Sequence, residues 1–446
     1  MIVMKFGGTS VQDAEAMKKV LSIAKDYAHE KMLIVASACA GVTSELLSLA
    51  SESVHLSDDD RIARITSLYN RHVDIASLLG ILERVQPQLQ VFRNGLLDAC
   101  EGIALLGECT PRSYDGIASY GELFSTVILH ALLSEQLNCS WLDARLVMKT
   151  DSSHRQAGIL IPETELKMRE IVQSQFQTHD ILITQGFIAS DNEGNTTTLG
   201  RGGSDYSAAL FGAMLDAEKI VIWTDVSGIA TADPRIIPDA RFIKRMSFEE
   251  ARMISYFGAK VLHPETIIPA LNKDIPVHVK NTFNPSEEGT IITRMGDESA
   301  SGFRSVIGKN IVTCIRLNGI VGMQFPKELS EQIFQLTGHI PLLESGVGES
   351  IAYVYDFPMK RIAHFLNSHK SKQYIQVDEY ALISAIGPDI LASHSKDAVH
   401  AFYSVIIQHE SQPVFISGVQ ANTLSALVRP GNEEAIVKEL HAYCSC

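Results

Sequence analysis

Lys5 stands directly before the run Phe6-Gly7-Gly8-Thr9-Ser10, and Arg201 stands directly before Gly202-Gly203-Ser204-Asp205. Each cation sits beside paired glycines where the chain turns into a helical pattern. Glycine lets the backbone turn and approach a ligand with no Cβ in the way. A helix N-terminus adds free N–H groups and the positive end of the dipole. The chemistry on offer is the holding of anions. Lys5 supplies a mobile point charge, and Arg201 a two-pronged grip on a carboxylate. Asp205 is either an ordinary first-turn acid or a partner for a nearby cation. One such turn has a plain explanation in packing; two in one chain, one with Lys and one with Arg, are hard to explain that way. The G-x-x-x-x-G-K-[ST] phosphate loop is absent from the chain.

The elements that must position these residues alternate between strand and helix. Met1–Met4 is a strand, and Thr9 and Ser10 are candidate caps for a helix with Val11, Met17, Val20, Leu21 and Ala24 inward. Residues 31–38 form a buried-type strand that runs into small residues up to Thr43, with the hydroxyls of Ser37 and Thr43 at its edge. Thr43 alternatively caps the next helix. Residues 44 to about 109 read as a helical layer, with Ser57-Asp58-Asp59-Asp60 as a helix start. Ser119–Ser125 opens another helix, in whose first turn Glu122 either compensates the dipole or pairs with a substrate ammonium. Strands follow at Cys139–Asp143 and Ile181–Thr184, then a hairpin arm at Asn195–Leu199 and a helix at Tyr206–Ala217. The strand Lys219–Trp223 ends in Thr224-Asp225, and ligands in alternating α/β sheets lie at the carboxyl ends of strands. Arg235 follows in an Asp-Pro-Arg turn. Lys260 and His263 lie where one helix ends and another begins, His263 with a structural reading before Pro264.

Between residues 295 and 303 the composition turns to Gly, Ser, Asp and Glu, which marks a linker. Beyond it two stretches each read strand, helix, strand, strand, with a closing helix: the β-α-β-β-α-β order of a ferredoxin-like unit. The first has its strands at 306–314, 340–344 and 350–355 and its closing helix at about 358–367. The expected organisation is a first domain at 1–294, largely helical over about 44–130, then small domains at 304–376 and 377–446.

The 446 residues carry a formal net charge of −14, which argues against a nucleic-acid or anionic-membrane binder. An anionic substrate still fits, through a local basic pocket. Seven scattered cysteines do not form a disulfide framework, and a reducing, cytoplasmic setting fits them. No signal peptide or apolar run of membrane-spanning length is read, and no His/Cys set points to a metal.

Taken together, the stretches KFGGTS, SACAGVT, SYGELFS, TLGRGGSD, WTDVSGI with ADPR, and FGAKVLHP resemble aspartate kinase in order and spacing, over nearly the whole chain. The resemblance implies an α/β amino acid kinase fold, a mainly parallel sheet between helices, followed by two ferredoxin-like ACT domains. It implies transfer of a phosphoryl group from ATP, with Mg²⁺, to the β-carboxylate of L-aspartate. The product is 4-phospho-L-aspartate, at the entry to lysine, diaminopimelate, threonine and methionine synthesis.

By resemblance, Lys5 and the amides of Gly7 and Gly8, with Phe6, clamp the transferred phosphate. Ser37, Ala38 and Thr43 contact the substrate, Glu122 holds its α-amino group, Arg201 its α-carboxylate, and Asp205 helps place both amine and lysine. Thr224, Asp225, Ala230, Arg235, Lys260 and Val261 match the nucleotide side, with Lys260 near the phosphates and catalytic together with Lys5 and Asp205. No protein carboxylate cluster for Mg²⁺ is read, so the ion rides on ATP phosphates and water.

Two departures stand out. Ala230 replaces a usual aromatic near the nucleotide. The segment HIPLLESGVG (residues 339–348) lacks the Asp and Thr-Ser pattern of lysine-binding members, with Leu343 near the Asp position. An amino-acid effector on the ACT pair is implied, with lysine and threonine both open. ACT pairing implies a homodimer or higher. The chain ends at Cys446 without a dehydrogenase module, so a bifunctional enzyme is not expected. The alternatives are a kinase for another acidic substrate such as glutamate, and a catalytically silent amino-acid sensor.

Overall fold

A computed structural model describes the chain apart from residues 259–265, 298, 319–323, 348–349, 364, 366–374, 389, 391–395, 417–421 and 445–446. The chain divides into two compact units, Met1–Gly228 with Val261–Gly296, and Ile229–Lys260 with Asp297–Cys446.

The first unit is built on a sheet in which β1 (Ile2–Phe6) and β2 (Met32–Ala36) lie side by side at the centre. Its strands run in the order Cys139–Leu142, Ile181–Gln185, β2, β1, Lys219–Thr224, Val277–Asn281, Thr290–Thr293. The first six are mutually parallel and the last is antiparallel to its neighbour. All five residues of β2 and all five of Ile181–Gln185 are buried. Apolar runs without alternation are what a parallel sheet covered on both faces requires.

Five helices surround this site-bearing half: α1 (Ala14–Asp26), α2 (Val42–Glu52), α3 (Asp58–Leu78), α4 (Leu82–Leu106) and α5 (Pro111–Leu133). By length and composition α5 could cross a membrane, but 78% of its apolar window is buried within the protein. It is a core helix, packed through Ile117, Phe124, Ile128 and Leu132.

Three local expectations change. Thr9 and Ser10 do not cap α1. Residues Gly8–Val11 form a single 3₁₀ turn, and Asp13, placed just before the helix, accepts from the Ala16 N–H at 2.8 Å. Ser10 instead bonds the Thr282 hydroxyl at 2.7 Å. Helix α2 starts after Gly41, whose φ of 84° only glycine adopts freely, so Thr43 lies inside the first turn and does not cap it. Helix α5 begins at Pro111 behind a Thr110 cap, which puts Glu122 deep in its middle. Glu122 therefore has no dipole to compensate.

The second unit carries one antiparallel sheet, in the order Leu343–Val347, Ser350–Tyr355, Ser305–Leu317, Ile375–Ile386, Thr423–Val428, Val414–Ile416. Its two strand–helix–strand–strand halves join through the long pair Ser305–Leu317 and Ile375–Ile386, so the ACT-like halves share a single sheet. Of the expected helix at 358–367, Met359–Arg361 form a 3₁₀ turn and Ala363 and Phe365 are helical, while 364, 366 and 367 lie outside the described residues. The segment from Ile229 to Phe257 was expected in the first domain but belongs to this unit. Ala232 and Ile237 pack there against Phe303, Val306, Ala381 and Phe402.

Candidate active site

A cavity of about 580 Å³ opens in the first unit where β1 and β2 give way to loops, the carboxyl edge of the parallel sheet. It brings together Lys5 and Gly8 from the first glycine turn, Ser37 and Ala38 from the loop after β2, Thr43 from the first turn of α2, and Glu122 from α5. Arg201 and Asp205 come from the start of the helix Gly203–Met214. The lysine and arginine turns thus converge on one space.

The Lys5 ammonium and the Asp205 carboxylate meet at 2.6 Å, each side chain 12% exposed. An ammonium has three donors. Its ion pair with Asp205 draws it toward the first turn of the helix Gly203–Met214. Gly8 is pressed against the neighbouring loop: a Cβ there would stand 2.9 Å from the Ala38 carbonyl oxygen. Its own carbonyl accepts from the Ala40 N–H at 3.0 Å, which ties the two loops together. The Gly7 amide, expected as half of a phosphate clamp, donates to the Trp223 carbonyl at 3.1 Å and is already used. Gly8 alone of the pair lines the cavity. Phe6 is fully buried, stacked parallel to Trp223, and serves the core.

Glu122 is 2% exposed, and one of its oxygens accepts from the Ala38 N–H at 3.2 Å while the other is buried without a partner. Burial pushes its carboxyl from 4.5 up to about 8, against the hydrogen bond from Ala38, because a charge is poorly solvated there. Gly121 permits this geometry, since a Cβ on it would meet the Ala38 methyl at 2.7 Å. A buried, half-satisfied carboxyl facing a cavity is a ready partner for an ammonium.

On the expected nucleotide side, Thr224 ends the strand beside β1 and its hydroxyl donates to Asp225 at 3.1 Å. The Asn281 amide holds the Asp225 carbonyl at 3.4 Å and the Ser227 hydroxyl at 3.1 Å. Neither Thr224 nor Asp225 lines the cavity. Ala230 and Arg235 belong to the second unit, where Ala230 bridges to Phe242 and Arg235 forks onto its neighbour Asp233. Lys260, Val261 and His263 lie outside the described residues.

Sequence reasoning missed Tyr114, Arg155, Phe187 and Ser204, which also line the cavity. Arg155 and Phe187 have positive φ, 75° and 67°, and no pattern in the chain announces either. Among the described residues, no group of three or more His, Cys, Asp or Glu gathers to hold a metal.

The amino acid kinase family model matches residues 1–281. Lysine-sensitive aspartokinase 3 of Escherichia coli strain K12 is 37% identical over 326 residues, 72% of this chain and 70% of that one. The structure of E. coli aspartokinase III with lysine and aspartate, in its T-state, superposes with a TM-score of 0.84 at 30% identity, over 99% of both chains. The same enzyme with aspartate and ADP, in its R-state, gives 0.82, also at 30% identity and 99% of both chains. With the converging cavity, these matches place the chain in the amino acid kinase family and, within it, among the aspartokinases.

Proposed function

We propose that the cavity of the first unit is where L-aspartate takes the γ-phosphoryl group of ATP, and that its charged residues divide the work as follows. Arg201 holds the α-carboxylate. Glu122, in its ionised form, holds the α-ammonium. Ser37 and Thr43 border the side chain, with Ala38 leaving it room. Lys5, oriented by Asp205, and the Gly8 amide meet the phosphoryl oxygens. Thr224 and Asp225 serve the nucleotide side.

The β-carboxylate is ionised at neutral pH, so no general base is needed. One of its oxygens forms the new O–P bond as the bond from the γ-phosphorus to the bridging oxygen breaks. ADP leaves, and the product is an acyl phosphate. What must be overcome is the repulsion between a carboxylate and a polyphosphate. Positioning and charge stabilisation do this. Mg²⁺ bound with the nucleotide would neutralise part of that charge, leaving Lys5 and the Gly8 amide to meet the phosphoryl oxygens.

The observation that carries this reading is the meeting of Lys5, Glu122, Arg201 and Asp205 in one cavity. Incubation with ATP, Mg²⁺ and L-aspartate, with the acyl phosphate trapped by hydroxylamine, tests it. Hydroxamate from aspartate in preference to glutamate supports it, and its absence overturns it.

The second unit is proposed to carry an amino-acid effector site and the contacts of a homodimer. Lysine, threonine and methionine added singly to the assay, and gel filtration at micromolar concentration, test the two. The cytoplasm is the proposed compartment, in keeping with six described cysteines that are all free.

A further inference from the structure

The cavity holds a cation that the division of labour above does not use. Arg155 lines it, on the loop that follows the short helix Ala144–Val147. Among the described residues it has no acidic partner; its guanidinium lies over the Tyr114 ring, 4.7 Å from the centroid. Arg201 is likewise without an acidic partner among the described residues, while Lys5 is taken by Asp205.

The loop is held where it is. Asp115, fully buried in α5, accepts from the Arg155 backbone N–H at 2.9 Å, from the Thr198 N–H at 3.1 Å and from the Thr198 hydroxyl at 2.7 Å. The His154 ring pairs with the same carboxylate at 3.1 Å. The next residues run against the second glycine turn: Ala157 donates to the Thr198 carbonyl at 3.0 Å, and a Cβ on Gly200 would stand 3.3 Å from the Arg155 carbonyl oxygen. Arg155 and Arg201 therefore rise from adjacent backbone segments at one edge of the cavity.

This placement is strained. Arg155 has φ of 75°, in the left-handed region, where a side chain other than glycine, asparagine or aspartate is disfavoured by about 1–2 kcal/mol. Nothing in the packing demands an arginine, because the side chain is exposed. Strain retained at an exposed residue on a cavity edge points to work done by the side chain.

We infer that Arg155 is a specificity-determining residue that joins Arg201 in binding the α-carboxylate of the substrate. The inference rests on the aspartate-phosphorylating reading of this cavity. Two guanidiniums on one carboxylate replace a single fork and leave the β-carboxylate the anion free to reach phosphorus.

The test is steady-state kinetics of the full chain, wild type against Arg155→Gln and Arg155→Gly, with saturating Mg-ATP and either L-aspartate or its α-carboxamide. Loss of one charge-assisted contact should raise KM for aspartate about 10-fold, with kcat and KM for ATP changed less than about 2-fold. The α-carboxamide should be used equally well by all three proteins. Arg155→Gly should melt at or above the wild-type temperature, since glycine relieves the strained φ.

An unchanged KM for aspartate in both variants overturns the inference, as does a loss confined to kcat or to KM for ATP. If the wild type itself fails to turn over aspartate, the failure lies with the activity and not with Arg155.

Discussion

The Lys5 ammonium and the Asp205 carboxylate lie 2.6 Å apart, one carried by β1 and the other by the first turn of the helix Gly203–Met214. Each is nearly enclosed, so neither relaxes freely if its partner goes. The pair keeps the cation proposed to meet the phosphate beside the start of that helix.

Replacing Lys5 by Ala should lower kcat by about 100- to 1000-fold, the cost of one preorganised donor to a developing charge. The far-ultraviolet circular dichroism should be unchanged, because β1 is held by backbone pairing to both neighbours. Hydroxamate assays on the purified variant check this, and near-normal turnover would remove Lys5 from the mechanism.

The pH profile should report Glu122. Its folded carboxyl keeps a proton up to about 8, against 4.5 when unperturbed. Between those values the native state binds more protons than the unfolded one, so its contribution to stability falls as pH rises. Ammonium binding needs the ionised form, so KM for L-aspartate should fall as pH climbs from about 6.5 to 8.5. Glu122→Gln should flatten both trends while raising KM. Melting curves and initial rates across that range decide it.

Cys39 borders the cavity, yet it should resist alkylation. Burial pushes its thiol up to about 12, and the Sγ–H donates to the Val11 carbonyl at 3.0 Å. The thiolate is the reactive form. Iodoacetamide at pH 8 should leave activity intact, with peptide mapping showing no label at this position in the folded chain.

Gly8→Ala should destabilise the first unit by about 1–3 kcal/mol, the usual cost of overpacking. The added methyl would press on the Ala38 carbonyl oxygen, a backbone atom that cannot swing away. A lowered melting temperature together with a lower kcat is the expected pairing, because the displaced loop carries Ser37 and the amide that binds Glu122.

In the second unit, Arg304 is buried between Glu250 and Asp297, at 3.7 Å from each, and donates to the Arg245 carbonyl. Arg304→Met should cost about 3–5 kcal/mol, since it leaves a buried carboxylate uncompensated. Thermal melting of the full chain reads the loss directly.

The sequence alone settled the alternation of buried parallel strands with helices and the identity of the charged residues beside paired glycines. Those features are local: apolar runs and glycine pairs act on their own neighbours. It misplaced the start of α5, which begins at Pro111 and runs on through Gly121, where the missing Cβ serves contact with Ala38 from another element.

Only the tertiary structure decided that Gly7 spends its amide on Trp223 while Gly8 faces the cavity, and that Ile229–Phe257 joins the second unit. It alone showed Arg155 beside Arg201. A positive φ, a carboxyl raised by burial and the meeting of two distant turns depend on what packs against a residue. Such facts follow from long-range contacts, which residue order does not spell out.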